Sequence, residues 1–279
     1  MTAAPEMAGA GDDWQARRTS FGGLAEVYDA SRPDWPEATA RWLVGADDGG
    51  PLNATAATRS LKVLDLGAGT GKLTRTLAGA GYEVVAVEPS EGMLERLRAA
   101  LPGVPAHQGT AERIPLPDDC VDAVTVAQAW HWFAADAAAA ECARVLRPGG
   151  VLGVGWHLRD ERVPWIAELD AIVGQADRGG STRFGDGQRA AGQQDPSGFG
   201  LPAPFAAVEA AVFGYDRVMR PEDVVALASS WSYVATRGDR DDVLERVRDL
   251  ATRAAGWDGT LVMSHVTRCY RAVMSGIGA

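Results

Sequence analysis

The sequence predicts an α/β protein built on a doubly wound, mostly parallel sheet, and three observations carry that expectation. Apolar strand-like runs and helix-compatible runs alternate from Lys62 to Trp156, and such alternation with short connections implies parallel strands joined by right-handed crossovers. The first run, Lys62-Val63-Leu64-Asp65-Leu66, ends in Gly67-Ala68-Gly69-Thr70-Gly71. The second, Tyr82 to Val87, ends on Glu88. Strand, glycine turn, helix and strand within about 30 residues form a nucleotide-binding crossover.

Each element follows in order. Met1 to about Asp13 is rich in Ala, Gly and acids without periodicity, which predicts a disordered tail. Residues 14–60 read as an N-terminal helical cover, two amphipathic helices broken at Pro33 and Pro36, with Ala46 to Ser60 as a linker. The main domain then spans 61–279. Lys72 to Ala80 is the first crossover helix, and after Glu88 the residue Ser90 is placed to cap a helix reaching about Ala100. Val104 to Gln108 is a short third strand, and Cys120 to Ala127 a fourth of the fully buried type. Ala135 to Val145 is an Ala-rich helix stopped by Arg147-Pro148-Gly149-Gly150, and Val151 to Trp156 is the fifth strand. Val163 to Val173 reads as helix. The Gly-rich stretch of about 174–200 is too long for an ordinary connection and reads as a lid or a disordered segment. Phe205 to Met219 and Leu261 to Val273 alternate like strands. Between them Pro221 to Ser230 and Asp239 to Ala254 supply inserted cap helices over about 220–256.

The fine spacing of the glycines narrows the ligand. A nicotinamide or flavin fingerprint is G-x-G-x-x-G, and its third glycine would fall at Lys72. A P-loop would need Ser or Thr where Leu73 stands. What stands instead is D-x-G-x-G-x-G over Asp65, Gly67, Gly69 and Gly71, with a carboxylate where a pyrophosphate would be repelled. Glu88 closes the second strand about 20 residues beyond Asp65, where an acid accepts from ribose hydroxyls. On these residues the chain resembles the class I S-adenosylmethionine-dependent methyltransferases with a type 11 domain. Within them it looks most like the small-molecule branch that includes the trans-aconitate and quinone methyltransferases, over roughly residues 18–156. The resemblance implies a Rossmann-like seven-stranded sheet, mostly parallel with one antiparallel edge strand. It also implies S-adenosyl-L-methionine as cofactor and S-adenosyl-L-homocysteine as product.

The resemblance also implies a cofactor site. Gly67, Ala68, Gly69 and Gly71 would lie under the methionine and ribose part. Asp65 would hold the glycine loop or the cofactor amino group through water, or simply cap the turn. Glu88, with Pro89 behind it, would take the ribose. Thr110, Ala111 and Glu112 resemble the adenine-binding segment, in which many relatives carry an acid where Thr110 stands and Glu112 is the substitute. Met93 and Ile114 would sandwich the adenine or serve as core. The carbonyl of Ala127 or Gln128 would accept from the methionine amino group, and Tyr28 and Arg32 would close over its carboxylate.

Composition bounds the partners. The formal net charge of −10, with no basic block, argues against nucleic acid. The absence of a long apolar run argues against a membrane span. Cys120, Cys142 and Cys269 are scattered, which suits buried thiols in a reducing cytoplasm and offers no metal spacing. Arginine replaces lysine everywhere except at Lys62 and Lys72, a bias of GC-rich bacterial genomes.

His131, between Trp130 and Trp132 just past the fourth strand, is the catalytic candidate: a base near neutral pH, or a packing residue. His157 is a second, weaker candidate, while His107 and His265 read as structural. Arg183 and Arg237 are placed to pair with a substrate carboxylate or simply face solvent. The expected function is methyl transfer to an oxygen, nitrogen or carbon of a small-molecule acceptor, by a monomer or homodimer. A nicotinamide-dependent oxidoreductase and a non-catalytic S-adenosylmethionine-binding protein are the alternatives.

Overall fold

The computed structural model describes residues 34–174, 201–205 and 207–274. The expected tail, Tyr28, Arg32, Arg183 and the stretch 175–200 lie outside the described residues. The strands are β1 (Lys62–Leu66), β2 (Glu83–Glu88), β3 (Ala106–Gln108), β4 (Val121–Ala127), β5 (Leu146–Arg159), β6 (Glu209–Met219) and β7 (Leu261–Val273). They form one seven-stranded sheet in the order β3-β2-β1-β4-β5-β7-β6. The pairs β1–β2, β1–β4, β2–β3 and β4–β5 are parallel. β7 runs antiparallel to both β5 and the outermost strand β6. The order reverses beside β1, so the carboxyl ends of β1 and β4 flank the crevice in which open α/β sheets bind ligands.

The helices are α1 (Glu37–Val44), α2 (Asn53–Ala56), α3 (Lys72–Gly79), α4 (Glu91–Ala100), α5 (Ala135–Val145), α6 (Pro164–Ile172), α7 (Pro221–Ser229), α8 (Ser232–Ala235) and α9 (Arg240–Ala254). Two of them, α2 in the expected linker and α8 in the cap, are too short to leave an amphipathic repeat in the sequence. The 3₁₀ turn Trp130–Trp132 was hidden for the same reason. Ser90 stands at the start of α4, but its side chain makes no capping bond. β5 outruns its expected end at Trp156 because β7 continues to pair with it, from Val151 opposite Val273 to Arg159 opposite His265.

Strand alternation sorts side chains between two interiors. Leu64, Leu66, Val124, Val126, Leu152 and Val154 face α5. Val63, Ala123 and Val151 face α1 and α3, meeting Leu43, Val44, Leu73 and Leu77. On that second face β5 presents Gly153 and Gly155, and α1 lies directly on them. A Cβ at Gly153 would sit 2.2 Å from the Leu43 carbonyl oxygen, and one at Gly155 2.9 Å from the Trp35 ring. Gly45, in the left-handed conformation at φ 80°, then ends α1. Arg271 pins the same region from β7. It pairs with Asp47 and Glu209, donates to the Trp42 carbonyl, and stacks 4.4 Å over the Trp42 ring.

β4 stops pairing where Ala127 meets Gly155, whereas β5, β6 and β7 run on. Their projecting ends carry a third interior formed by α6, α7, α9 and the strand ends, with Ile166, Leu169, Val224, Val247 and Met263 among its buried residues. The inserted helices thus stand beyond the carboxyl edge of the sheet, on the side of the crevice. Among the described residues no helix is long and apolar enough to cross a membrane.

Candidate cofactor and active site

The site begins at the end of β1. Asp65 is fully buried, and its Oδ2 accepts from the Thr74 hydroxyl of α3 at 2.6 Å. Its Oδ1 is buried with no hydrogen-bond partner. Burial pushes this carboxyl up to about 7; the Thr74 bond pulls it back in part, and the Glu88 charge adds to the rise. A raised acid binds its proton more tightly folded than unfolded. Asp65 therefore carries no penalty below about pH 4, where both states hold the proton, and costs stability as pH rises through 7. Asp65→Asn is expected to raise the melting temperature of the ligand-free protein at pH 8. The underlying gain is on the order of 4 kcal/mol at most and should vanish by about pH 4. Equal melting shifts at both ends of a pH series would contradict a buried charge.

The glycine turn follows. Gly67, Gly69 and Gly71 all take positive φ, of 71°, 58° and 89°, a region that favours glycine. Their surroundings differ. A Cβ at Gly67 would lie 2.8 Å from Ala129 Cβ, and one at Gly71 2.9 Å from Leu97. These two glycines let the turn pack against its neighbours. A Cβ at Gly69 meets only the Met93 sulfur, at 3.9 Å, so this is where the turn is open and Met93 faces it. The amides of Gly67 and Ala68 donate to the Val87 carbonyl, tying the turn to β2.

Glu88 joins the turn to α4. It is buried; its Oε2 accepts from the Gly69 N–H and its Oε1 from the Ser90 N–H, each at 2.9 Å. The Pro89 carbonyl accepts from the Gln108 side chain. Asp65, the glycine turn, Glu88 and Met93 are thus brought together around Gly69. The 110–112 segment stands beside β2: Gly109 N–H donates to the Glu88 carbonyl, Thr110 bridges to Arg113, and Ala111 is buried. The Glu112 carboxylate accepts from the Ala134 N–H, where α5 begins.

Past Ala127, Gln128 holds φ 59°, a strained value for a residue with a side chain. Two bonds to β5 hold it there: its N–H donates to the Gly155 carbonyl and its side-chain amide to the His157 carbonyl. Strain enforced from outside at a strand tip in the crevice is a mark of ligand-binding backbone. Beyond it the 3₁₀ turn displays His131, exposed, whose Nδ1 accepts from the Trp156 indole at 3.4 Å.

The opposite face of the β5 tip carries His157, whose Nδ1 lies 2.7 Å from the Thr267 hydroxyl and whose ring lies 4.0 Å from Trp35. His265 is buried against the Met263 carbonyl, and burial drives its pKa down to about 4, a structural histidine as expected. Arg237 is spent on Asp239. No group of three or more metal-ligating side chains stands together among the described residues.

Three features escaped the sequence. Thr74 reaches Asp65 only through the crossover. The buried pair Arg159–Asp170, at 2.5 Å, lies under the cap with Trp231 stacked 4.2 Å from the guanidinium. Glu141 and Arg144 of α5 reach back to the loop before β4. Each joins distant segments, and no local spacing announces it.

Comparison with known proteins places relatives beside this chain. Residues 64–154 match the family described as methyltransferase domain. Over 260 residues the chain is 43% identical to an uncharacterized methyltransferase of Mycobacterium tuberculosis, covering 92% of this chain and 96% of that protein. Over 158 residues it is 39% identical to the malonyl-[acyl-carrier protein] O-methyltransferase of Methylococcus capsulatus, covering 53% of this chain and 55% of that one. A solved structure from Anaeromyxobacter dehalogenans, described as a type II methyltransferase, matches with a TM-score of 0.63 at 26% identity, over 88% of this chain and 98% of its own. With a relative matched over nearly its whole length and a fold shared with a solved one, the chain belongs to the methyltransferase family that its Asp65-to-Gly71 turn resembles.

Proposed function

We propose that the protein transfers a methyl group from S-adenosyl-L-methionine to an oxygen, nitrogen or carbon of a small molecule, releasing S-adenosyl-L-homocysteine. The observation that carries this reading is the carboxylate of Glu88, held by two main-chain N–H groups beside the one open glycine of the turn. The unpartnered, buried Oδ1 of Asp65 next to that turn fits a ligand that brings a hydrogen-bond donor, directly or through water. The cofactor supplies an activated methyl on a cationic sulfonium.

In this reading Glu88 accepts from the ribose hydroxyls, Pro89 and Met93 flank the nucleoside, and Thr110, Ala111 and Glu112 border the adenine. The Ala127 or Gln128 carbonyl receives the amino group, and Tyr28 and Arg32 close over the carboxylate. Methyl transfer asks the protein mainly for orientation and exclusion of water. In this reading Trp132, Trp231 and Tyr233, half-buried beyond the carboxyl edge of the sheet, supply aromatic surface of the kind usual in small-molecule pockets. His131 stands nearest to the role of base. The three free thiols and the acidic composition favour a cytoplasmic setting and a small acceptor over nucleic acid.

Calorimetric titration with S-adenosylmethionine, S-adenosylhomocysteine and NADH tests the reading. Both sulfur ligands should bind with micromolar affinity, and Glu88→Ala should weaken them by about tenfold or more, having lost two charge-assisted bonds. Binding of NADH with no response to either sulfur ligand would overturn it.

A further inference from the structure

The loop between β3 and β4 makes few bonds to itself. Among its main-chain pairs are Arg113 N–H to the Thr110 carbonyl and Leu116 N–H to the Ile114 carbonyl. Several of its other polar groups are satisfied from α5. Glu141 Oε2 accepts from the Ile114 N–H at 2.8 Å. Arg144 donates to the carbonyls of Ile114 at 2.9 Å and Leu116 at 2.8 Å, and to Asp118 at 2.7 Å. The two side chains also grip each other, Nε to Oε1 and Nη2 to Oε2, each at 2.8 Å. A planar guanidinium suits this work, because its rigid fork holds several acceptors at once where a lysine holds one point. Returning the tie, Glu112 of the loop accepts from Ala134 at the start of α5. Ile114 is thereby fixed on both sides, through its N–H and its carbonyl, with its side chain in the core.

We infer that Glu141 and Arg144 are positioning residues for donor binding: from α5 they set the shape of the 110–118 loop, and through it the affinity for the nucleoside. The inference rests on the proposed function, which places Thr110, Ala111 and Glu112 at the adenine. Neither residue touches the ligand in this account. A loop that must be ordered at the moment of binding takes its ordering cost from the affinity, and a loop ordered in advance does not.

The affinity of S-adenosylhomocysteine for wild type, Arg144→Ala and Glu141→Gln decides the matter, measured calorimetrically well below each melting temperature. Arg144→Ala should bind about tenfold more weakly or worse, with two loop carbonyls released. Glu141→Gln keeps an oxygen for the Ile114 N–H and should fall in between; it carries the test if Arg144→Ala does not fold. Hydrogen exchange should show faster amides in 110–118 of the ligand-free variants, with the β1 and β4 amides unchanged. A purely stabilising pair would lower the melting temperature and leave the Kd of the folded protein unmoved, and that result would overturn the inference alone. No binding by wild type would instead sink the cofactor reading, and this inference with it.

Discussion

Gly153→Ala is expected to be the most damaging added methyl among the described glycines. The added carbon would sit 2.2 Å from the Leu43 carbonyl oxygen and 2.8 Å from its carbon, both main-chain atoms of α1 that have no rotamer to escape into. Overpacking a tight core costs about 1–3 kcal/mol and occasionally more, and contact with fixed backbone belongs at the upper end. Taken as about 3 kcal/mol, this corresponds to a fall of roughly 6–12 °C in melting temperature for a chain of this size. Gly214→Ala on β6 is the internal control, since a Cβ there meets nothing within 4 Å. A Gly153→Ala protein melting within a degree or two of both wild type and Gly214→Ala would refute direct seating of α1 on β5.

Arg159→Ala should be at least as costly, by a different route. Burial already pushes the Asp170 carboxyl up, and Arg159 offsets that only in part. The two side chains retain only 12% and 6% of their exposure. Removing the cation leaves a buried carboxylate that must protonate or go unpaired, a loss of about 3–5 kcal/mol. Replacing both partners, as in Arg159→Met with Asp170→Leu, removes both desolvation costs and should recover most of that loss. Urea unfolding of the two singles and the double measures the coupling. A double variant no more stable than Arg159→Ala would mean that the guanidinium works through Trp231 and Tyr233, not through the ion pair. The loss in Arg159→Ala should also grow with pH, because the stranded Asp170 carries its charge only above its raised pKa.

The legible parts of the site were those whose cause lies within a few residues. Positive φ demands glycine at Gly67, Gly69 and Gly71, so the turn shows in the letters. Glu88 is marked by ending a strand. What those letters do not distinguish is that Ala129 and Leu97 also press on Gly67 and Gly71, while Gly69 faces open space. The length of β5 cannot be read from its own residues because it is set by its partner β7, more than a hundred residues on. The grip of Arg144 on Leu116, and of Thr74 on Asp65, likewise belongs to topology, which brings together side chains with no periodic relation.

The three strands that outrun β4 have a consequence for how the protein tolerates change. The interior under the inserted helices closes on its own residues, apart from the two interiors that flank the sheet around the glycine turn. Substitutions more than about 7–10 Å apart that share no neighbours add nearly independently. Substitutions in the cap interior can therefore accumulate, residue by residue, with little effect on the half that holds Asp65 and Glu88. On the proposed function, a lineage built this way explores new acceptors at little risk to donor binding, and divergence should accumulate past Trp156 faster than before it.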